Sequence, residues 1–140
     1  NEQGNTVRVH RFDEARGTLE IFQNIVTLPA DYTEGGATAH VEVHPNGKWV
    51  YASNRGHDSI AIYRIEKDGV LSLVKIEPSL GKGPQNLLIT PDGGWLICAN
   101  MVGSNVVVFQ IVADIFDLAG PEKSRGTRFV QGDDDVQPHV

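Results

Sequence analysis

Two stretches of this chain repeat one another 46 residues apart, and that repeat constrains its fold more than any other feature. His44-Pro45-Asn46-Gly47-Lys48-Trp49-Val50-Tyr51-Ala52-Ser53-Asn54 lines up with Thr90-Pro91-Asp92-Gly93-Gly94-Trp95-Leu96-Ile97-Cys98-Ala99-Asn100. Pro, Gly, Trp, Ala and Asn recur in register. The same offset carries Ser59-Ile65 onto Asn105-Ile111, and Thr6-Phe12 is a third, partial copy of that second half.

Each unit has the same physical grammar. Pro-Asn-Gly and Pro-Asp-Gly are turn signals, because Pro presets φ and Gly supplies a positive φ. Short runs rich in aromatic and β-branched residues follow, which read as strands. The expected strands are 6–12, 18–26, 38–44, 49–53, 59–65, 70–76, 85–90, 94–100 and 105–111, with a weak one near 126–131. Asn54 to Asp58 reads as a polar loop. Helical repeats of similar length would show apolar spacing of three and four and would not tolerate these turns. About four strands per unit match the roughly 40–50-residue period of a propeller blade. The fold class is therefore all-β: about 2.5–3 four-stranded antiparallel β-propeller blades, an incomplete propeller. Residues 1–111 form the blades, and residues 112–140 are a divergent C-terminal segment with a last strand plus tail.

Propellers close with about 4–8 blades. The expectation is that the chain is a fragment beginning midway through a unit, with its true N-terminus upstream. Open edge strands are expected to make the isolated chain self-associate. Trp49 and Trp95, at identical repeat positions, are expected to pack between blades, and Asn54 and Asn100 to cap turns.

Composition excludes several classes. A net charge of −6 with scattered Lys and Arg argues against nucleic acid or an anionic membrane as partner. No run approaches the ~20 apolar residues of a membrane span. No signal-peptide pattern opens the chain, so a cytoplasmic location is expected. Cys98 is the single cysteine, which excludes an internal disulfide, and its apolar surroundings read as core. Asp133-Asp134-Asp135 reads as a solvated tail.

The strings Arg16-Gly17-Thr18-Leu19, Val43-His44-Pro45-Asn46-Gly47-Lys48-Trp49-Val50-Tyr51 and above all Ser53-Asn54-Arg55-Gly56-His57-Asp58-Ser59-Ile60 resemble the seven-bladed lactonase family. That family includes propeller-type 6-phosphogluconolactonases and carboxymuconate-cyclising enzymes. The Gly81-Lys82-Gly83-Pro84 loop matches too, so the resemblance covers about residues 4–111 and the C-terminal part of family members. It implies hydrolysis of a sugar lactone or phosphosugar lactone, with no cofactor. The scheme requires no metal, and no His-rich zinc spacing is present.

Lactone hydrolysis needs an activated water, donors for the oxyanion, and a cation for an anionic substrate. Arg55, expected in a Gly-flexible loop, is placed by the resemblance at the substrate pocket as an anion or oxyanion ligand. His57 in the same loop is a candidate base or hydroxyl ligand, or a loop-stabilising partner of Asp58. His40, Glu42 and His44 alternate along one strand face, so Glu42 beside two His forms a base-and-orienter pair or a polar surface stripe. Many family members carry an acid at the position of His40 and Arg at the position of Gln85. His40 either replaces the acid as proton acceptor or marks lost activity. Gln85 keeps hydrogen bonding without the charge, and Lys82 is a candidate replacement cation. Gln85 and Asn86 are repeat equivalents of Ala39 and His40, so both pairs are expected at one mouth of the propeller. The expected catalytic residues are thus His40, Arg55 and His57, with Glu42, Lys82, Gln85 and Asn86 binding substrate. The alternative is a non-catalytic β-propeller that binds a small ligand or a protein partner.

Overall fold

A computed structural model describes residues 1–112, together with short strands at 118–119 and 130–131. The strands are β1 (Thr6–Asp13), β2 (Thr18–Val26), β3 (Ala37–Val43), β4 (Trp49–Arg55), β5 (Ser59–Ile65), β6 (Leu71–Pro78), β7 (Pro84–Ile89), β8 (Trp95–Asn100), β9 (Asn105–Ile111), β10 (Leu118–Ala119) and β11 (Val130–Gln131). All pair antiparallel with their neighbours in sequence-ordered meanders. β1 and β2 form the first sheet, β3-β4-β5-β6 the second, and β7-β8-β9 the third, where both β10 and β11 pair with β9. These are the blades that the repeat predicts. The weak strand expected near 126–131 is met by β11, whereas β10 was not expected. Asp133-Asp134-Asp135 lies outside the described residues.

Alternation along the strands explains the stacking. On β4, Trp49 and Tyr51 face the third blade, and on β8, Leu96 and Cys98 face back toward them. Val50 and Ala52 point the other way, onto Val7 and Tyr63 between the first and second blades. Trp95 is only half-buried, a departure from the expectation that both tryptophans are core. Its neighbours Leu96 and Cys98 pack toward the second blade, so Trp95 points to the opposite face, which no described blade covers. Val41 and Val43 on β3 and Leu88 on β7 are exposed apolar residues on strands at the ends of their sheets.

One backbone device sets the blades in common register. The residue before the third strand of each blade is left-handed: Asn5 at φ 46°, Asp58 at φ 55° and Ser104 at φ 50°. Asn and Asp tolerate this region best among non-glycine residues. The preceding segments Glu2-Gln3-Gly4, Arg55-Gly56-His57 and Met101-Val102-Gly103 thus hold equivalent positions ahead of that strand, although Glu2–Gly4 is a short 3-10 helix and Arg55 ends β4.

The same positions carry a repeated latch. Thr27 donates its N–H and its hydroxyl to the Asn5 carbonyl, both at 3.0 Å. Ser79 does the same to the Asp58 carbonyl, both at 2.9 Å. Asn54 then reaches back across the blade boundary and donates Nδ2 to the Thr27 carbonyl at 2.7 Å. Asn100 donates to the Ser79 carbonyl at 3.5 Å. These asparagines bridge blades rather than cap turns, because their side chains leave the strand toward the preceding sheet.

A second repeated feature is a bulge. Pairing shifts between Thr38 and Val41 against β4, and again between Pro84 and Asn86 against β8. Bulges re-aim side chains and concentrate near functional sites. Here they fall at Ala39-His40 and at Gln85.

Candidate functional site

Arg55 is the last residue of β4, paired with Ala37, and not part of a flexible loop as expected. The strand runs on through Asn54, which pairs with both β3 and β5, to Arg55, which pairs with β3. Gly56 then turns the chain at φ 89°, and a Cβ there would lie 2.7 Å from the Gly35 carbonyl oxygen. Only glycine lets the entry to β3 pass this close.

The guanidinium of Arg55 reaches across the boundary between the second and third blades. Nη1 donates to Gln85 Oε1 at 3.1 Å. Nη2 donates to the carboxylate of Glu2, which holds the same position ahead of β1 as Arg55 does ahead of β5. Nε is buried and has no hydrogen-bond partner among the described residues. One arginine thus ties together three blades and keeps an unsatisfied donor.

Beside it opens a cleft of about 460 Å³, lined by Gly36, Ala37, Arg55, Asp58, Lys82 and Val102, among others. Asp58 holds its two walls together. Its Oδ1 accepts the Gly83 N–H at 2.8 Å, while its carbonyl accepts both donors of Ser79. Gly83 is left-handed at φ 66°, and a Cβ there would sit 2.6 Å from Val102 Cγ2. The Lys82 side of the cleft is therefore held to the Arg55 side through the Asp58 carboxylate and the close packing at Gly83.

Of the residues singled out from sequence, Arg55, Gln85 and Lys82 come together. Asn86 lies with Gln85 in a neighbouring hollow of about 430 Å³ that also includes Asn100 and Asn105. The others lie apart from Arg55. His57 turns away from the cleft: Nδ1 shares a hydrogen with Ser59 Oγ at 2.7 Å, and its ring meets Tyr32 edge-on at 4.6 Å. His40 is half-buried at the bulge, where its backbone N–H donates to Ser53 Oγ at 3.0 Å. Glu42 is half-buried opposite Tyr51. His44 does not extend a polar stripe with them. Its Nε2 bonds the Gly93 carbonyl at 3.0 Å and its Nδ1 accepts the Asn46 N–H at 3.1 Å, locking the turns of adjacent blades. Cys98 is fully buried, and that burial pushes its thiol up to about 12, which removes it as a nucleophile near neutral pH.

Glu2, Asp58 and Gly83 belong to this site and were not among the expected site residues. The signal was present in the three equivalent segments starting at Glu2, Arg55 and Met101, but residue identity changes at each, so only the backbone aligns them. Among the described residues no group of three or more His, Cys, Asp or Glu is placed to hold a metal. No helix among them is long and apolar enough to cross a membrane.

Successive antiparallel meanders packed against one another, one of them a complete four-stranded blade, with a cleft at a blade boundary, are the architecture of a β-propeller protein. The chain belongs to the family described as Lactonase, 7-bladed beta-propeller, which matches residues 1–124. It is 43% identical over 76 residues to 6-phosphogluconolactonase of Formosa agariphila, covering 52% of this chain and 22% of that protein. It is 29% identical over 110 residues to 6-phosphogluconolactonase of Bacillus subtilis, covering 78% of this chain and 32% of that protein. Among solved structures, a Lactobacillus plantarum protein superposes with a TM-score of 0.82 at 23% identity, over 85% of this chain and 35% of that one. The periplasmic gluconolactonase of Pseudomonas aeruginosa superposes with a TM-score of 0.78 at 21% identity, over 84% and 33%. At these identities the superpositions speak for the fold alone. The chain spans at most about a third of the length of these relatives.

Proposed function

We propose that this chain is the three-blade part of a lactone hydrolase acting on a sugar lactone such as 6-phosphogluconolactone. The observation that carries the reading is the Arg55 guanidinium at the cleft, with a buried Nε that has no partner among the described residues, in a chain of this family. Water adds to the lactone carbonyl, the ring C–O bond breaks, and a hydroxy acid leaves with one proton released. Arg55 offers a donor to the oxyanion or to an anionic substituent, and fixed donors in a partly dry site stabilise developing charge well. Lys82 adds a second cation on the same cleft, and Gln85 orients the guanidinium. His40, at the bulge of β3, is the proposed proton acceptor.

The test is lactone hydrolysis followed by acid release, using the longer polypeptide to which this chain is proposed to belong. Arg55→Ala should lower kcat/KM about 100-fold, the usual effect of removing one oxyanion donor. An unchanged rate removes Arg55 from the reaction.

A second reading, a propeller that binds without catalysing, is favoured by one observation. Neither His40 nor His57 lines the cleft with Arg55, and the carboxylate that does, Asp58, already accepts the Gly83 N–H. Anion binding without hydrolysis would select it.

A further inference from the structure

We infer that Glu2 is a built-in competitor at the Arg55 anion site: its carboxylate holds Nη2 in the unliganded chain, and an entering anionic ligand must displace it to take Nη2 and Nε together. The inference deepens the proposed function and rests on it for the identity of the ligand, but the displacement itself requires no hydrolysis.

Three observations carry it. First, the guanidinium edge formed by Nε and Nη2 is the one suited to a two-oxygen acceptor, and among the described residues only Nη2 is engaged. Leaving a buried N–H unpaired is unfavourable, so that edge has unmet demand for an acceptor. Second, the acceptor on Nη2 is easily removed. The Glu2 side chain is 63% exposed, whereas that of Arg55 is 25% exposed. An exposed carboxylate on a mostly covered cation can swing into water at little cost. Third, the arrangement does not recur at the next blade among the described residues. Glu2 and Arg55 hold equivalent positions in successive blades, and the next equivalent, Met101, has no charge to continue the chain of ion pairs. The exchange would therefore occur only where Arg55, Lys82 and Asp58 frame the cleft.

The ligand chemistry is that of a carboxylate or a phosphate, and a tethered competitor treats both alike. It reduces the fraction of chains with an open site, so every anion that needs Nε and Nη2 loses affinity by one common factor. For an exposed ion pair that factor is about two- to fivefold. Uncharged sugars, which do not need Arg55, escape it.

The experiment is isothermal titration of the full chain, Glu2→Gln and Glu14→Gln with 6-phosphogluconate, gluconate and glucose. Glu14 is exposed in the turn after β1, about 25 Å from Glu2 along the strand, so its variant makes the same charge change away from the site. Glu2→Gln should tighten both anions by the same two- to fivefold factor and leave glucose unchanged, while Glu14→Gln changes nothing. If only 6-phosphogluconate tightens, phosphate is the group that displaces Glu2; tightening of gluconate as well shows that the carboxylate both anions carry displaces it too, and tightening of gluconate alone would overturn the inference. Equal effects of the two substitutions, no effect of Glu2→Gln, or no binding of either anion would overturn the inference. Arg55-dependent lactone hydrolysis without a Glu2 effect would sink this inference alone. A Glu2 effect without hydrolysis would sink the lactonase reading alone.

Discussion

The blade latches lead to a quantitative contrast between two equivalent residues. Asn54 is fully buried. Its Nδ2 donates to the Thr27 carbonyl at 2.7 Å and to Ser59 Oγ at 3.2 Å, and its Oδ1 accepts from Thr38 Oγ1 at 3.4 Å. Asn54→Ala removes about 1 kcal/mol for the good amide–carbonyl bond and a fraction of that for each longer one. It also leaves the Thr27 carbonyl short of a donor in a buried place, which adds about 1–2 kcal/mol. The expected loss is about 3 kcal/mol. Asn100 holds the same position one blade on, but its bond to the Ser79 carbonyl is 3.5 Å and its Oδ1 receives only the Cys98 thiol at 3.6 Å. Asn100→Ala should therefore cost about 1 kcal/mol. Equilibrium urea unfolding of both variants, compared at a common m value, measures the difference. Losses within about 0.5 kcal/mol of each other would refute the claim that latch geometry, not residue type, sets the strength of a blade boundary.

Further outcomes are expected. Gly56→Ala should cost about 2 kcal/mol or more, since its Cβ meets the Gly35 carbonyl, whereas Gly47→Ala, also at positive φ but facing open space, should cost only about 1 kcal/mol; thermal melts compare them. Asp58→Ala should open the cleft by freeing Gly83, while Asp58→Asn, which keeps an acceptor and tolerates the left-handed backbone, should largely retain it; exchange of the Gly83 amide reads this out. Burial pushes the Tyr51 phenol up to about 12 and the Tyr63 phenol higher still. Below about pH 10 both stay protonated folded or unfolded, and above it only the unfolded chain releases protons, so stability should fall as pH rises from about 10. The urea midpoint as a function of pH checks the sign. We also propose that the exposed apolar residues Val41, Val43 and Leu88 drive self-association, so that Val41→Lys with Leu88→Lys shifts the chain toward monomer in analytical ultracentrifugation.

The strands were legible because a period-2 apolar pattern and Pro-Asn-Gly turns are local signals, and because the second unit repeats the first. What was not legible is what happens between units. Arg55 looked like a loop residue because it follows polar Ser53 and Asn54, yet those side chains are polar in order to bond Thr38, Thr27 and the His40 backbone. His57 follows Arg55 by two residues but is drawn away by Ser59 and Tyr32, contacts that no spacing rule announces. Trp95 matches Trp49 in sequence, but burial depends on the following blade. Glu2 joins the site through an equivalence that only the backbone torsion of Asn5, Asp58 and Ser104 reveals.

The most direct test is a crystal structure of the chain with 6-phosphogluconate bound. Anion oxygens about 3 Å from both Nε and Nη2 of Arg55, with the Glu2 carboxylate moved off the guanidinium, are the predicted result. Ligand bound away from this blade boundary, with the Glu2–Arg55 pair intact, would contradict the account.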